Sequence, residues 1–595
     1  FGSRNCQLAA AFAGPPIMEF RQLCWFACLG AAAAIAGPPP DHCTAVAVGP
    51  KASADGAPMV GQTADSEGGP GSSIIYVASA DHKDGSLRPI LDQETDVQIG
   101  SIPEVKHTYA YTFATGGYGL MNEHKLAFGE STCSARITAA SLAHNGTALF
   151  SNKELSKIAL ERCKTARCAI KLMGTLAVEM GGFYGEDTGV DAGGETLVLA
   201  DPTEAWVFNI LADPTGKSAI WAAQRVPDDG VAFVPNTFII RSMDLNSDDF
   251  MLSSNAKDVA KEFGWWDGKE PFSFAGSFSL GEYSNPHYSA RRLWRAYNLV
   301  APSLKLDPSL EITEMEGAYP FAVRPDQKLT AGDIFRVYRD YYEGTPYSLV
   351  SDTLAAGPYK SPLRLAAGDA EAAVPTGAWE RPISIYRADY AGLSVCHPDG
   401  HGIVWFAPHT PHASVFVPAW TSGTGAPPSK KFVVDKAASV DRESLFWAVS
   451  AVSNWAFGSM FSRAIADIRR AQAEFEPMAH ELAAKLASSA AHDQSMALEY
   501  FAEKAHTKWW DLFWSLMGKY NDGYVVTRDA QGAVTSTAVG YPSWWLEAVD
   551  FKHGVDAPNS SFAALKRRMA NAAAKMAEID AKRPRPHTVL PEYVL

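Results

Sequence analysis

Hydrophobic and polar positions along the chain fall into two alternating kinds of pattern. Short runs of small and β-branched residues, "CTAVAVG" at 43–49, "SIIYVAS" at 73–79 and "YAYTFAT" at 109–115, read as strands bounded by turn residues. A long run from about Asn152 to Met180, "NKELSKIALERCKTARCAIKLMGTLAVEM", carries apolar residues at helical spacing and is read as one helix. Strand patterns return at "GETLVLADPTEAWVFNIL", "SAIWAAQRVPDD" and "VAFVPNTFIIRSMDL", with turn signals such as Asp213-Pro214-Thr215-Gly216 between them. Residues 241–440 are mixed and rich in Pro and Gly, with a short helix at "AGDIFRVYRDYYEG" and strands at "GIVWFAP" and "ASVFVPAW". Beyond them the pattern is helical from about Val440 to Ser489, from Ser495 to Met517 and from Ser561 to Arg583, before a Pro-interrupted tail. No internal repeat or long low-complexity linker interrupts this order. The expectation is antiparallel sheet with packed helices in one large elaborated domain over 43–550, and a helix and tail over 551–595.

The first 42 residues differ from the rest. From Met18, "MEFRQLCWFACLGAAAAIAG" has Arg21, an apolar stretch from Leu23 to Ala36 and a small-residue Ala34-x-Ala36 site, the three parts of a secretory signal peptide. About fourteen apolar residues are too few to cross a bilayer, which takes roughly 20. Residues 1–36 are therefore read as upstream sequence and signal peptide. Residues 37–42, "GPPPDH", form a short propeptide ahead of Cys43, and the destination is the secretory pathway, either a lysosome-like or vacuolar compartment or the outside of the cell. Two sequons, Asn145-Gly146-Thr147 and Asn559-Ser560-Ser561, are compatible with glycosylation on that route.

Charge narrows the partners. A net charge of −14 argues against nucleic acid or an anionic membrane, both of which require clustered Lys and Arg. Five of the eight cysteines, Cys43, Cys133, Cys163, Cys168 and Cys396, lie beyond the leader, and an odd number implies a free thiol. Cys163 and Cys168, five residues apart on one helix, lie ~7.5 Å apart along its axis and are not expected to bridge each other. His397, His401, His409 and His412 cluster in "CHPDGHG" and "PHTPH", but Pro and Gly break any helix that would present paired ligands, so these are read as loop histidines and neither metal nor cofactor is expected. The Gly-rich "GGYGLMN" has neither phosphate-loop spacing nor its lysine and is read as a turn.

What remains is Cys43 at the head of a strand. A cysteine that becomes the first residue has its own α-amino group as base, with an ordinary pKa of about 7.7 to 8.0, and needs no histidine. The stretch "CTAVAVGPKASADGAPMVGQTAD" resembles the opening of the dipeptidase A and secernin group of N-terminal nucleophile hydrolases. "GLMNEHKLAFGEST", "RVPDD", "MDLNSDDFMLSSN", "RRLWRAYNLVAPSL" and "RDYYEGTPY" are similar to later blocks of that group in the same order. The resemblance implies an α+β fold, a four-layer αββα sandwich, with helical additions at the C-terminal end. It implies Cys43 as nucleophile, Asp65 as the carboxylate that holds the amine or thiol, Asn122 and Asn236 as oxyanion donors, and Arg292 as electrostatic support, with Arg291 and Arg295 as rivals for that last role. Relatives commonly carry Arg or Lys three residues before the aspartate, where this chain has Gln62. The activity implied is hydrolysis of short unblocked peptides, chiefly dipeptides, after propeptide removal. The alternatives are a cysteine amidase acting on non-peptide amides and a non-catalytic binding protein of the secretory pathway.

Overall fold

The computed structural model describes residues 43–65, 71–185, 193–282, 287–310, 319–365, 380–434, 439–553 and 561–582. The signal peptide and propeptide readings, the Asn559 sequon and the tail lie outside these residues. The described residues within 43–364 and 380–582 fall in one compact unit.

Fourteen strands build two facing sheets. In chain order they are β1 (Thr44–Val48), β2 (Met59–Asp65), β3 (Ile74–Val77), β4 (Tyr111–Ala114), β5 (Gly119–Asn122), β6 (Ala127–Cys133), β7 (Gly194–Ala200), β8 (Ala205–Ala212), β9 (Ala219–Arg225), β10 (Val231–Val234), β11 (Phe250–Leu252), β12 (Ala388–Val395), β13 (Ile403–Pro408) and β14 (Val417–Thr421). The first sheet runs β10-β1-β2-β12-β13-β14 and the second β11-β9-β8-β7-β6-β5-β4-β3, antiparallel throughout. Strands β1 and β2 pack face to face on β6 and β7, so residues on both faces of these central strands are buried. That double burial explains why "TAVAV" and "GETLVLA" read as continuous small apolar runs without alternation. At the centre of the contact the sheets touch backbone to backbone. A Cβ on Gly129 would lie 2.7 Å from the Gly61 carbonyl oxygen, so glycine is required there.

Helices cover both outer faces. α1 (Asn152–Arg162) and α2 (Ala166–Glu179) bury Leu155, Ile158, Ile170 and Met173 against Leu197, Leu199, Phe208 and Ile210 of the eight-stranded sheet. On the six-stranded sheet, α3 (Ala290–Val300) lies on β10, α4 (Ala331–Tyr338) on β12 and α5 (Leu445–Gly458) on β13; α6 (Phe461–Leu486) and α7 (Ala491–Lys519) lie on β14. The protein is a four-layer αββα sandwich with helical C-terminal additions, among them the exposed α8 (Ser561–Lys582). Among the described residues no helix is long and apolar enough to cross a membrane.

The structure corrects the helix read over 152–180. It is two helices, and Cys163 and Cys168 form a disulfide with a Cα–Cα distance of 5.6 Å. Cys163 is extended at the end of α1, and the Thr165 side chain caps α2 by accepting from the Cys168 N–H. Three further hydrogen bonds fix the break: Asn122 Nδ2 donates to the Leu160 and Cys163 carbonyls, at 2.9 and 2.8 Å, and Ala166 N–H donates to Asp201. Polar partners outside the helix thus take the groups that would have continued it. Cys43, Cys133 and Cys396 are outside any disulfide, three thiols where parity required only one. The helical run from Val440 is likewise divided, at Ser459.

His409 and His412 are buried, and burial pushes their imidazoles down to about 4 and about 3. The His412 Nδ1 lies 3.0 Å from Ser384 Oγ and 3.1 Å from Thr410 Oγ1. No group of three or more potential ligands stands together among the described residues.

Two predictions follow from this packing. Cys168→Ser should lower the urea unfolding free energy by roughly 2 kcal/mol, the entropy of a short closed loop, and reductant should lower the wild-type midpoint without further effect on the variant. Unfolded histidine titrates near 6.5. The stability held by neutral His409 and His412 is therefore complete above that pH and is lost as pH falls towards their folded values, by about 1.4 kcal/mol per unit for each. Urea midpoints measured from pH 7 to pH 4 should decline, and less steeply in His412→Asn.

Candidate active site

Cys43 stands immediately before β1, buried, with 5% of its surface exposed. The hairpin to β2 pairs Thr44 with Thr63, so the ladder sets Ala64 level with Cys43 and Asp65 one step further towards its amino side. Thr44 N–H donates to Thr63 Oγ1 at 3.2 Å, which fixes the strand at this point. From β2, Gln62 reaches Cys43 with Nε2, 4.0 Å from Sγ, and accepts the Glu130 N–H on Oε1 at 2.5 Å. Where the family resemblance anticipates a cation, this chain thus places a neutral amide that joins the nucleophile's strand to β6.

Arg292 is the centre of the arrangement. It lies on α3, fully buried, and all three of its nitrogens are used. Nη1 donates to the Cys43 carbonyl at 3.0 Å and to Thr44 Oγ1 at 2.9 Å; Nη2 donates to Asn236 Oδ1 at 2.6 Å and to the Pro235 carbonyl at 3.2 Å; Nε donates to the Tyr288 carbonyl at 3.0 Å. The two rival arginines point elsewhere. Arg295 makes a two-pronged ion pair with Asp340, at 2.8 and 2.6 Å, and Arg291 stacks on Tyr347, 3.7 Å from the ring centre.

Asn236 follows β10 in a left-handed backbone conformation, φ +63°, which asparagine tolerates better than most residues. Its N–H donates to Ser131 Oγ at 3.0 Å and its Nδ2 to the Thr132 carbonyl at 2.7 Å. The second Nδ2 contact, to Ser131 Oγ at 3.4 Å, is long and easily exchanged for a stronger acceptor. Ser131 and Thr132 are residues that sequence reasoning did not select. Their signal was present in "GEST", a polar run inside an otherwise apolar buried strand.

Asp65 closes the other side. Its carboxylate makes an ion pair with Arg381 Nη2, and both side chains are buried. Asn122 is the expectation that the geometry corrects. It lies on β5 with both amide hydrogens given to the Leu160 and Cys163 carbonyls, and its Oδ1 accepts from the N–H groups of His124 and Leu126. With all its hydrogen-bonding capacity used in holding the end of α1, it has no donor for an oxyanion. The structure therefore links Cys43, Gln62, Asn236 and Arg292 directly and sets the Asp65–Arg381 pair beside them in the ladder, while Asn122 belongs to the outer helix layer.

The Arg292 guanidinium thus sets a buried positive charge on the backbone of Cys43. Burial pushes the thiols of Cys133 and Cys396 well above the ordinary range. Nucleophilic chemistry on a carbonyl is what an arrangement of this kind can support.

The sequence from residue 42 to 474 matches the family described as Peptidase family C69. Among curated proteins, the chain is 24% identical over 323 residues to the "Probable dipeptidase" of Latilactobacillus sakei, a match covering 51% of this chain and 61% of that protein. It is 24% identical over 327 residues to "Dipeptidase A" of Lactobacillus helveticus, covering 52% and 64%, and 24% identical over 318 residues to a "Probable dipeptidase B" of Streptococcus pyogenes serotype M6, covering 51% and 57%. The chain thus spans about three fifths of the length of these relatives. Among solved structures, a mutant conjugated bile acid hydrolase from Clostridium perfringens aligns at 11% identity and a TM-score of 0.29, over 62% of this chain and 89% of that one.

Replacing Asn122 by Ala should strand two buried carbonyls and cost about 1–3 kcal/mol of stability. The rate at which iodoacetamide alkylates Cys43 in the still-folded variant should stay at the wild-type value. Asn236→Ala, which strips Arg292 of an acceptor, should slow that alkylation. Mass spectrometry of the Cys43 peptide at timed quenches reads both.

Proposed function

The chain belongs to peptidase family C69, and on that footing we propose that it is a cysteine dipeptidase whose nucleophile is Cys43, exposed as the first residue by removal of residues 37–42. The observation that carries the reading is the Arg292 guanidinium, buried and hydrogen-bonded at once to the Cys43 carbonyl and to Asn236. A buried charge invested in the backbone of one small residue makes little sense for a residue that only packs, since desolvating it costs several kcal/mol. The dipeptidase names of the relatives support the substrate class.

In this mechanism the Cys43 α-amine takes the thiol proton and the thiolate adds to the scissile carbonyl carbon, moving one electron pair onto oxygen. Asn236 Nδ2 exchanges its long contact with Ser131 for that oxyanion, and Arg292 holds both the asparagine and the Cys43 backbone in place. Collapse breaks the C–N bond, and the Cys43 ammonium gives its proton to the departing amine. Water, deprotonated by the same amine, then hydrolyses the thioester and restores the thiol. Asp65, one step along the ladder, holds the ammonium between these transfers.

A signal-like leader ahead of Cys43 supports processing in the secretory pathway, and the exposed Asn145 of the first sequon fits a glycan on that route.

Terminal sequencing of active protein should begin at Cys43, and Cys43→Ala should abolish dipeptide hydrolysis while leaving the melting temperature near wild type. Activity in protein that retains "GPPPDH" would sink the amine-as-base mechanism. Turnover of N-acyl amides in place of dipeptides would move the enzyme to the non-peptide amidases.

A further inference from the structure

Gln62 leaves the buried Asp65 without a cation from its own strand, yet the carboxylate is not left alone. Arg381 reaches it from outside the sheet, with 3% of the arginine side chain and none of the aspartate side chain exposed. The short segment carrying Arg381 is held at several points. The Arg381 carbonyl accepts from the buried Tyr342 hydroxyl at 2.9 Å, and Arg381 Nη1 donates back to the Pro382 carbonyl. Ser384 N–H donates to the Asp340 carbonyl at 2.9 Å, and the preceding Glu380 lies 3.6 Å from Arg291 on α3. Asp340 is itself the partner of Arg295, one turn along α3 from Arg292. Cys43, through Arg292, and Asp65, through Arg381 and the 380–384 segment, are therefore both tied back to α3.

We infer that Arg381 is a positioning residue for the nucleophile, a cation supplied from outside the sheet that keeps Asp65 ionised and aimed at the amino side of Cys43. The second Asp65 oxygen, Oδ1, is buried with no hydrogen-bond partner among the described residues, which leaves it as an acceptor for the Cys43 ammonium. The inference rests on the N-terminal cysteine reading above. Without Arg381 a buried Asp65 either takes a proton and releases the ammonium, or keeps its charge and opposes the thiolate. Both make thiolate scarcer at neutral pH.

The test is a double-variant cycle on Asp65→Asn, Arg381→Gln and their combination, with Arg381→Lys as the conservative control. It reads kcat and KM on a dipeptide, and independently the rate of Cys43 alkylation by iodoacetamide at pH 7. Arg381→Gln should slow alkylation and kcat by about tenfold or more, the equivalent of one pH unit of thiol ionisation, with KM little changed, and Arg381→Lys should recover most of the loss. The combined variant, in which no buried charge is left unpaired, should be no slower than Asp65→Asn alone. It also keeps the test open if Arg381→Gln does not fold. Wild-type alkylation in a folded Arg381→Gln protein, or losses that multiply in the combined variant, would overturn the inference. Absence of dipeptide turnover in the wild type, with the alkylation cycle as expected, would instead overturn the dipeptidase reading and leave Arg381 in its role.

Discussion

Everything around Cys43 depends on one buried guanidinium. Arg292 arrives from the outer helix layer, passes the edge between β1 and β10, and donates to the Cys43 and Pro235 carbonyls, one beside each of those neighbouring strands. Because a guanidinium is planar and its donors have fixed directions, satisfying them sets the positions of Cys43, Thr44 and Asn236 relative to one another. Asn236 then passes the constraint across to β6 through Ser131 and Thr132. One side chain thus ties three of the four layers, and an unpaired charge at that depth would cost more than the contacts it makes, so the arrangement holds as a whole or fails as a whole.

The second constraint is the split of the long helical run. The notch at 163–165 is closed by the Cys163–Cys168 disulfide, capped by Thr165 and pinned by Asn122, and three unrelated interactions at one point make a rigid corner out of what periodicity presents as continuous helix. The corner lets α1 lie along β5 while α2 turns onto β8 and β9, so that two short helices cover a wide sheet.

How much of this was legible in the sequence varies with the kind of signal. The strands and most helices were legible because they follow from hydrophobic period, their four-layer arrangement only through the family resemblance, and Cys43 because a thiol behind a signal-like leader and a short stub is unusual. Arg292 could be named but not told from Arg291 and Arg295 without coordinates, since the three lie on the same helix and only the direction of each around its axis decides. Asn122 misled for the opposite reason. It stands in the block that carries the resemblance, yet its two donors are directed to the helix layer, and a motif in one dimension does not record on which side of a strand a side chain is used. Arg381 had no local signal at all, because its partner lies 316 residues away and the pairing exists only once β2 and the 380–384 segment are brought together.

The glycine contact between the sheets has a bearing on how the thiol is held. At Gly129 the facing backbone of Gly61 leaves no room for even a methyl group, so the two sheets meet backbone to backbone at that level. Gly61 is one residue before Gln62 on β2, only a short way in from Cys43 at the sheet's end. A side chain of any size at Gly129 would push β6 away from β2, and with it Glu130 from Gln62, so the closeness of the sheets is part of what holds the glutamine against the sulfur.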